Sequence, residues 1–293
     1  MRGVLLFVLS ISGLFAFSIL ICASGCSSFL WIFLELLGLC VVPCFFLSDS
    51  DSLVLSSLFN YVVISSVSSS LVLCGLVEEV LIFLLVLGFL IKFGLFPFWG
   101  WVYNVGLNSN WLVLWALSTF LKVPIFIFPF FLSVGDVFFV SVLCSLSFFF
   151  LSFLFWVYTY SWFHCWCHIM LSSSASFLVV FSNLSFDVLF YLVLFYFFWS
   201  TLVVWFFSIV GSFSGDSVLG GVGFVFFFVF LLISVPFSVS IFYKILMAVS
   251  IFCCSSLVIG FWVLYCISEQ FYLVKYVVSS RLPKKDIGVF SVL

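Results

Sequence analysis

The chain has 293 residues, of which 67% are hydrophobic and 6% charged, with a formal net charge of −2 and a mean hydropathy of +1.52. Soluble domains carry roughly a quarter charged residues to face water, so this composition excludes a water-soluble domain. The apolar runs are continuous rather than alternating, which excludes a β-barrel and leaves helices with internally satisfied backbones.

A bilayer-spanning helix needs about 20 apolar residues, and the runs predict an all-α, polytopic membrane helix bundle of about ten transmembrane helices. The first two are 4–23, preceded by Arg2, and 29–47, which holds Glu35. Ser24-Gly25-Cys26 is faintly like a lipoprotein cleavage site, but further apolar segments follow, so the first is read as a retained span. Asp49 and Asp51 precede the third, 53–75, and Glu78 and Glu79 the fourth, 80–98, with Lys92 and Pro97. Residues 104–110 read as a connection to 111–132, which contains Lys122 and Pro124. Asp136 introduces 137–159, and His164 to His168 introduces 165–182. After Asn183 come 187–209, a serine-rich stretch 212–217, then 220–242 with Pro236 and 245–272 behind Lys244. Residues 1–278 thus form one transmembrane domain and 279–293 a short polar tail.

Arg2, Lys275, Arg281, Lys284 and Lys285 cluster at the chain ends, which an even number of spans places together on the side of synthesis. Glu35, Lys92, Lys122 and Lys244 lie within or beside apolar runs, where a charge costs about 2.5–3.5 kcal/mol on insertion scales. A lysine near a span end can snorkel to the headgroups. That reading stays open for Lys244, serves Lys122 poorly in mid-span, and does not reach the short Glu35 side chain. The alternative is a chain of buried groups that exchange protons at ordinary pH. Pro97, Pro124 and Pro236 favour it, because each lysine has a helix-breaking residue near it and broken helices in membranes line hydrated cavities.

His164, Cys167 and His168 share a helix face and could supply three metal ligands, but no convincing fourth is evident, and a span start with apolar cysteines is preferred. The 11 cysteines have no iron–sulfur spacing, and no glycine-rich phosphate loop is present. No redox cofactor is expected in this chain.

The 47 phenylalanines, with abundant Ser, Leu and Val, fit T-rich codons and an organellar genome. Several segments then resemble one family, subunit 2 of respiratory complex I. Trp31-Ile-Phe-Leu-Glu35 is similar to its W-x-x-L-E signature. Lys92-Phe-Gly-Leu-Phe-Pro-Phe-Trp-Gly-Trp101 resembles the segment carrying its first channel lysine, and Lys122-Val-Pro its later K-x-P lysine. Pro236 to Lys244 resembles its broken-helix segment, and His168 stands where the family often has lysine. The likeness runs from Trp31 to about Tyr276 and is roundworm-like in composition. Tyr103-Asn104 replaces the family's Pro-Glu, Ser234 and Val235 replace glycines, and the last helix of longer versions has no counterpart.

The resemblance implies an antiporter-like fold with two broken helices and a mid-membrane proton relay of Glu35, Lys92, Lys122, His168 and Lys244. Glu35 would pair with Lys92, Lys122 would be the central relay, and Lys244 the exit-side end. It further implies a multi-pass protein of the mitochondrial inner membrane with both termini and the polar tail on the matrix side. Its partners would be other membrane-arm subunits and inner-membrane lipids in a hetro-oligomer, with no nucleic acid. Flavin, iron–sulfur clusters and ubiquinone would be bound by other subunits. The main competing reading is a free-standing proton or cation antiporter, for which Asp187 is the only candidate internal aspartate. A seven-helix receptor or a lipid-facing scaffold gives no reason for Glu35 and Lys122.

Overall fold

The structure, a computed structural model, describes residues 2–47, 52–183, 186–212 and 222–281, and all their regular structure is helical. The first helices are α1 (Arg2–Ala23), α2 (Ser27–Leu39), the short α3 (Val42–Phe45) and α4 (Ser52–Val77). Then come α5 (Ile82–Phe93), α6 (Gly100–Asn108), α7 (Trp111–Ser118) and two 3₁₀ stretches, Phe120–Phe126 and Phe128–Phe131. Finally come α8 (Val134–Val157), α9 (Trp162–Phe181), α10 (Phe186–Ser212), α11 (Val222–Leu232), α12 (Val239–Phe252) and α13 (Ser256–Arg281). Among the described residues eight segments are long and apolar enough to cross a bilayer, and α5, α11 and α12 are shorter apolar helices. The molecule is a multi-pass membrane helix bundle. Residues 48–51 with Asp49 and Asp51, residues 213–221, residues 282–293 and the Asp187 side chain lie outside what is described.

Among the described residues three breaks adjoin the lysines Lys92, Lys122 and Lys244, where the resemblance implies two broken helices. The first ends α5 at Gly94, whose φ of 67° suits a residue without Cβ. The Leu95 N–H donates to the Leu90 carbonyl at 3.0 Å and the Gly94 N–H to Ile91 at 3.1 Å, which caps the helix. The chain resumes as α6, so 104–108 are helix rather than connection. In the second, α7 ends at Ser118 and the chain continues in 3₁₀ geometry from Phe120, through stretches that hold Pro124 and Pro129, each lacking the N–H that a longer α-helix would need. The third, between α11 and α12, holds Pro236 and restarts at Ser238, whose hydroxyl accepts from the Ile241 N–H at 3.2 Å. The last two predicted spans therefore shift: α12 runs through the boundary placed at 242–245, and α13 begins only at Ser256.

Helix α9 is the axis of the bundle. It packs against α6, α8, α10, α12 and the first 3₁₀ stretch, and every residue from His164 to Phe181 is buried. Its serines tolerate this because each hydroxyl returns to its own helix, Ser172 to Ile169, Ser174 to Met170 and Ser176 to Ser172. Such back-bonding satisfies a buried hydroxyl without a partner helix, and small residues let neighbours approach closely. The outer helices instead expose large apolar side chains such as Phe59, Phe83 and Phe271, the surface that a lipid solvent favours. Asp136 completes a capping box with Ser133 at the start of α8.

Candidate functional site

Glu35 lies one helical turn beyond Trp31, and both reach Ser69 on α4. The Trp31 Nε1–H donates to the Ser69 carbonyl at 3.1 Å, and the Ser69 hydroxyl donates to Glu35 Oε1. The four-residue spacing puts indole and carboxylate on one face of α2, where they engage the same serine.

Lys92 occupies the last turn of α5, the negative end of the helix dipole, and is buried. Its ammonium donates to the Leu34 carbonyl at 3.4 Å, next to Glu35 in sequence. Among the described residues the two side chains form no direct ion pair; the one found lies elsewhere. The expected Glu35–Lys92 partnership is therefore at longer range than contact. Close packing of α5 on α4 sets this arrangement. A Cβ on Gly88 would lie 2.7 Å from the Ser68 carbonyl oxygen, so only glycine fits there.

Lys122 sits in the first 3₁₀ stretch, 6% exposed. It donates to the Met170 carbonyl at 2.9 Å, to the Ser173 hydroxyl, and to the Tyr196 hydroxyl at 2.8 Å. The Tyr196 ring centroid is 4.5 Å from the ammonium and that of Phe177 5.7 Å. Lys244, in the second turn of α12, turns inward and forms an ion pair of 3.0 Å with Glu269 on α13. This answers the snorkelling alternative, because the ammonium meets a carboxylate within the bundle.

Small cavities connect the lysines. One of about 10 Å³ is lined by Tyr61, Ser65, Ser68, Lys92 and Trp101. A second, of about 20 Å³, touches both Lys92 and Lys122, with Ser174 and Met170. The third, also about 20 Å³, is lined by Ser172, Ser173, Ser176, Tyr265, Lys244 and Glu269. Each of the larger two has room for about one water. Lys122 lines the second cavity and bonds to Ser173, which lines the third. The polar groups thus follow one another from Glu35 and Ser69 through Lys92, Lys122 and Ser173 to Lys244 and Glu269.

His168 stands apart from this file and lines none of those three cavities. Fully buried, it hydrogen-bonds through Nδ1 to the Tyr103 hydroxyl at 2.6 Å, while Nε2 has no partner among the described residues. Tyr103 thus meets a histidine at the position where the resembled family has its proline–glutamate pair. His164 instead bonds to Ser161, and Cys167 donates to the Val102 carbonyl at 3.9 Å. Among the described residues no three His, Cys, Asp or Glu side chains are grouped to hold a metal.

Sequence reasoning passed over Glu269. It lies in Tyr265-Cys-Ile-Ser-Glu-Gln270, and the criterion that singled out Glu35 applies to it. Placing the span end at 272 left it three residues from an apparent boundary, whereas α13 continues to Arg281. Tyr196 carries no such signal, since nothing in its apolar run distinguishes it from neighbouring aromatics.

The sequence matches no known protein family and no curated protein. The fold does match solved structures. A chain of respiratory complex I from Thermus thermophilus, determined with bound aureothin, aligns with a TM-score of 0.72 at 16% identity, over 92% of this chain and 69% of that one. A chain of the membrane-bound sulfane sulfur reductase, an archaeal respiratory membrane complex, aligns with a TM-score of 0.74 at 12% identity, over 92% of this chain and 64% of that one. The chain spans about two thirds of the length of each, and it shares their fold.

Proposed function

We propose that this chain is a proton-translocating membrane subunit of a respiratory complex I, an NADH–ubiquinone oxidoreductase, similar to subunit 2 of the roundworm mitochondrial form. One observation carries the reading: Lys92, Lys122 and Lys244 are turned inward and linked by cavities and serine hydroxyls, although an isolated buried ammonium is strongly disfavoured in lipid. The fold shared with chains of two respiratory membrane complexes supports it, as does the motif resemblance from Trp31 to Tyr276. In this reading the chain lies in the mitochondrial inner membrane with both termini and the 279–293 tail facing the matrix. It assembles with other membrane-arm subunits and contributes no redox centre; flavin, iron–sulfur clusters and ubiquinone belong to its partners.

The relay comprises Glu35, Lys92, Lys122, His168 and Lys244. Charge change at one end, caused by quinone reduction elsewhere, shifts protons between neighbouring groups through the cavity waters. Lys122 is the centre, since it shares a cavity with Lys92 on one side and bonds on the other to Ser173, which lines the cavity of Lys244 and Glu269. His168 with Tyr103 is a side branch rather than a member of the main file.

A native gel of detergent-solubilised mitochondrial membranes, stained for NADH dehydrogenase activity and analysed by mass spectrometry, tests membership. Comigration with the large active band is expected; a small inactive band would point to the free-standing antiporter. In the assembled complex, Lys122→Leu should abolish proton translocation while electron transfer continues, and unchanged stoichiometry would sink the relay.

A further inference from the structure

We propose that Glu269 is the proton-exchanging partner of Lys244, and that Gln270 is the positioning residue that ties this pair to the break between α11 and α12. The inference rests on the relay reading above and adds two residues to it.

Glu269 is 3% exposed and its Oε1 lies 3.0 Å from the Lys244 ammonium. A buried ion pair persists only when further hydrogen bonds support it, and here the Gln270 amide donates to the same oxygen at 3.3 Å. The Gln270 side chain also reaches the break. Its carbonyl accepts the Ser234 N–H at 2.8 Å, and its amide nitrogen donates to the Leu232 carbonyl at 3.4 Å. The Ser240 hydroxyl shares that carbonyl at 3.1 Å and lies 3.2 Å from the Ser234 hydroxyl. Leu232 ends α11 and Ser240 lies in the first turn of α12. One amide therefore replaces backbone bonds lost at the break while touching the carboxylate whose charge changes.

Proton exchange follows from this contact. The Lys244 N–H bond breaks, the electron pair stays on nitrogen, and an O–H bond forms on Glu269, leaving an amine and a carboxylic acid, both neutral. The acid then gives its proton to a water, and the amine takes one from a hydronium ion in the serine-lined cavity. One proton enters at nitrogen, one leaves at oxygen, and the ion pair is restored. A protonated Glu269 is a weaker acceptor, which frees the Gln270 amide to bond Leu232 alone, so the break registers the state of the pair.

The test uses the intact membrane complex in liposomes, driven by NADH and quinone, with proton uptake and the infrared band of protonated carboxyl groups recorded together. Glu269→Gln should slow proton translocation at least tenfold and remove a turnover-dependent carboxyl band, and Gln270→Ala should shift that band. Glu269→Asp, which keeps the charge but withdraws it by one methylene, should slow translocation several-fold. If Glu269→Gln prevents assembly, normal translocation in Glu269→Asp overturns the proposal. A complex stopped by Lys122→Leu but unaffected by Glu269→Gln overturns the proposal and leaves the relay standing. Translocation indifferent to both substitutions overturns the relay and the proposal together, and a band unmoved by Gln270→Ala removes the positioning role.

Discussion

Lys122 and Lys92 differ in how their protons are held. An ammonium has three donors, and Lys122 spends them on Met170, Ser173 and Tyr196. Among the described residues Lys92 has a single hydrogen bond, to Leu34, and it faces two cavities. Lys122 is thus anchored and Lys92 is free to engage water. Tyr196→Phe should lower stability by about 1.5–3 kcal/mol, the usual worth of a hydrogen bond to a charged group, because the ring contact with Lys122 survives while the hydroxyl is lost. Thermal unfolding in detergent measures this, and an unchanged transition would mean that the hydroxyl does not hold the lysine.

At the scale of the element, the breaks in the helices depend on a few backbone positions. Gly94 carries φ 67°, and a Cβ there would lie 2.5 Å from Val102 Cγ2 and 3.1 Å from Leu171 Cδ2. Gly94→Ala should therefore cost about 1–3 kcal/mol through strain and crowding and displace α6, seen as a lower unfolding temperature. Phe237 is the opposite case. It adopts φ 75° between α11 and α12, a strained conformation for a bulky residue, and its side chain is largely exposed. Phe237→Gly should raise stability by about 1 kcal/mol by relieving that strain. A fall in unfolding temperature would show that the exposed ring contributes more than the strain costs.

Across the whole molecule, the bundle encloses a polar file inside an apolar exterior, and the Lys244–Glu269 pair joins α12 to α13. Breaking a buried pair from one side leaves a lone charge and costs about 3–5 kcal/mol, whereas replacing both partners is often neutral. Lys244→Met should destabilise by about that amount, and adding Glu269→Gln should recover most of it. Comparing the single and double variants by unfolding in the same detergent checks the coupling, and strictly additive losses would argue that the two side chains do not depend on each other.

By itself the sequence determined the class of the fold, because long apolar runs with so few charges can satisfy their backbones in lipid only as helices. It also singled out Lys92, Lys122 and Lys244, which interrupt or adjoin those runs near Pro97, Pro124 and Pro236, but left Lys244 open between snorkelling and a buried site. Tertiary structure decided what each lysine meets. Glu269 lies 25 residues from Lys244 and Tyr196 lies 74 from Lys122, and no local pattern encodes such pairings. It likewise decided that His168 turns to Tyr103 instead of the lysine file. Helical periodicity states which residues share a face, but the partner of that face depends on how separate helices pack, and apolar surfaces in lipid constrain that packing mainly through shape.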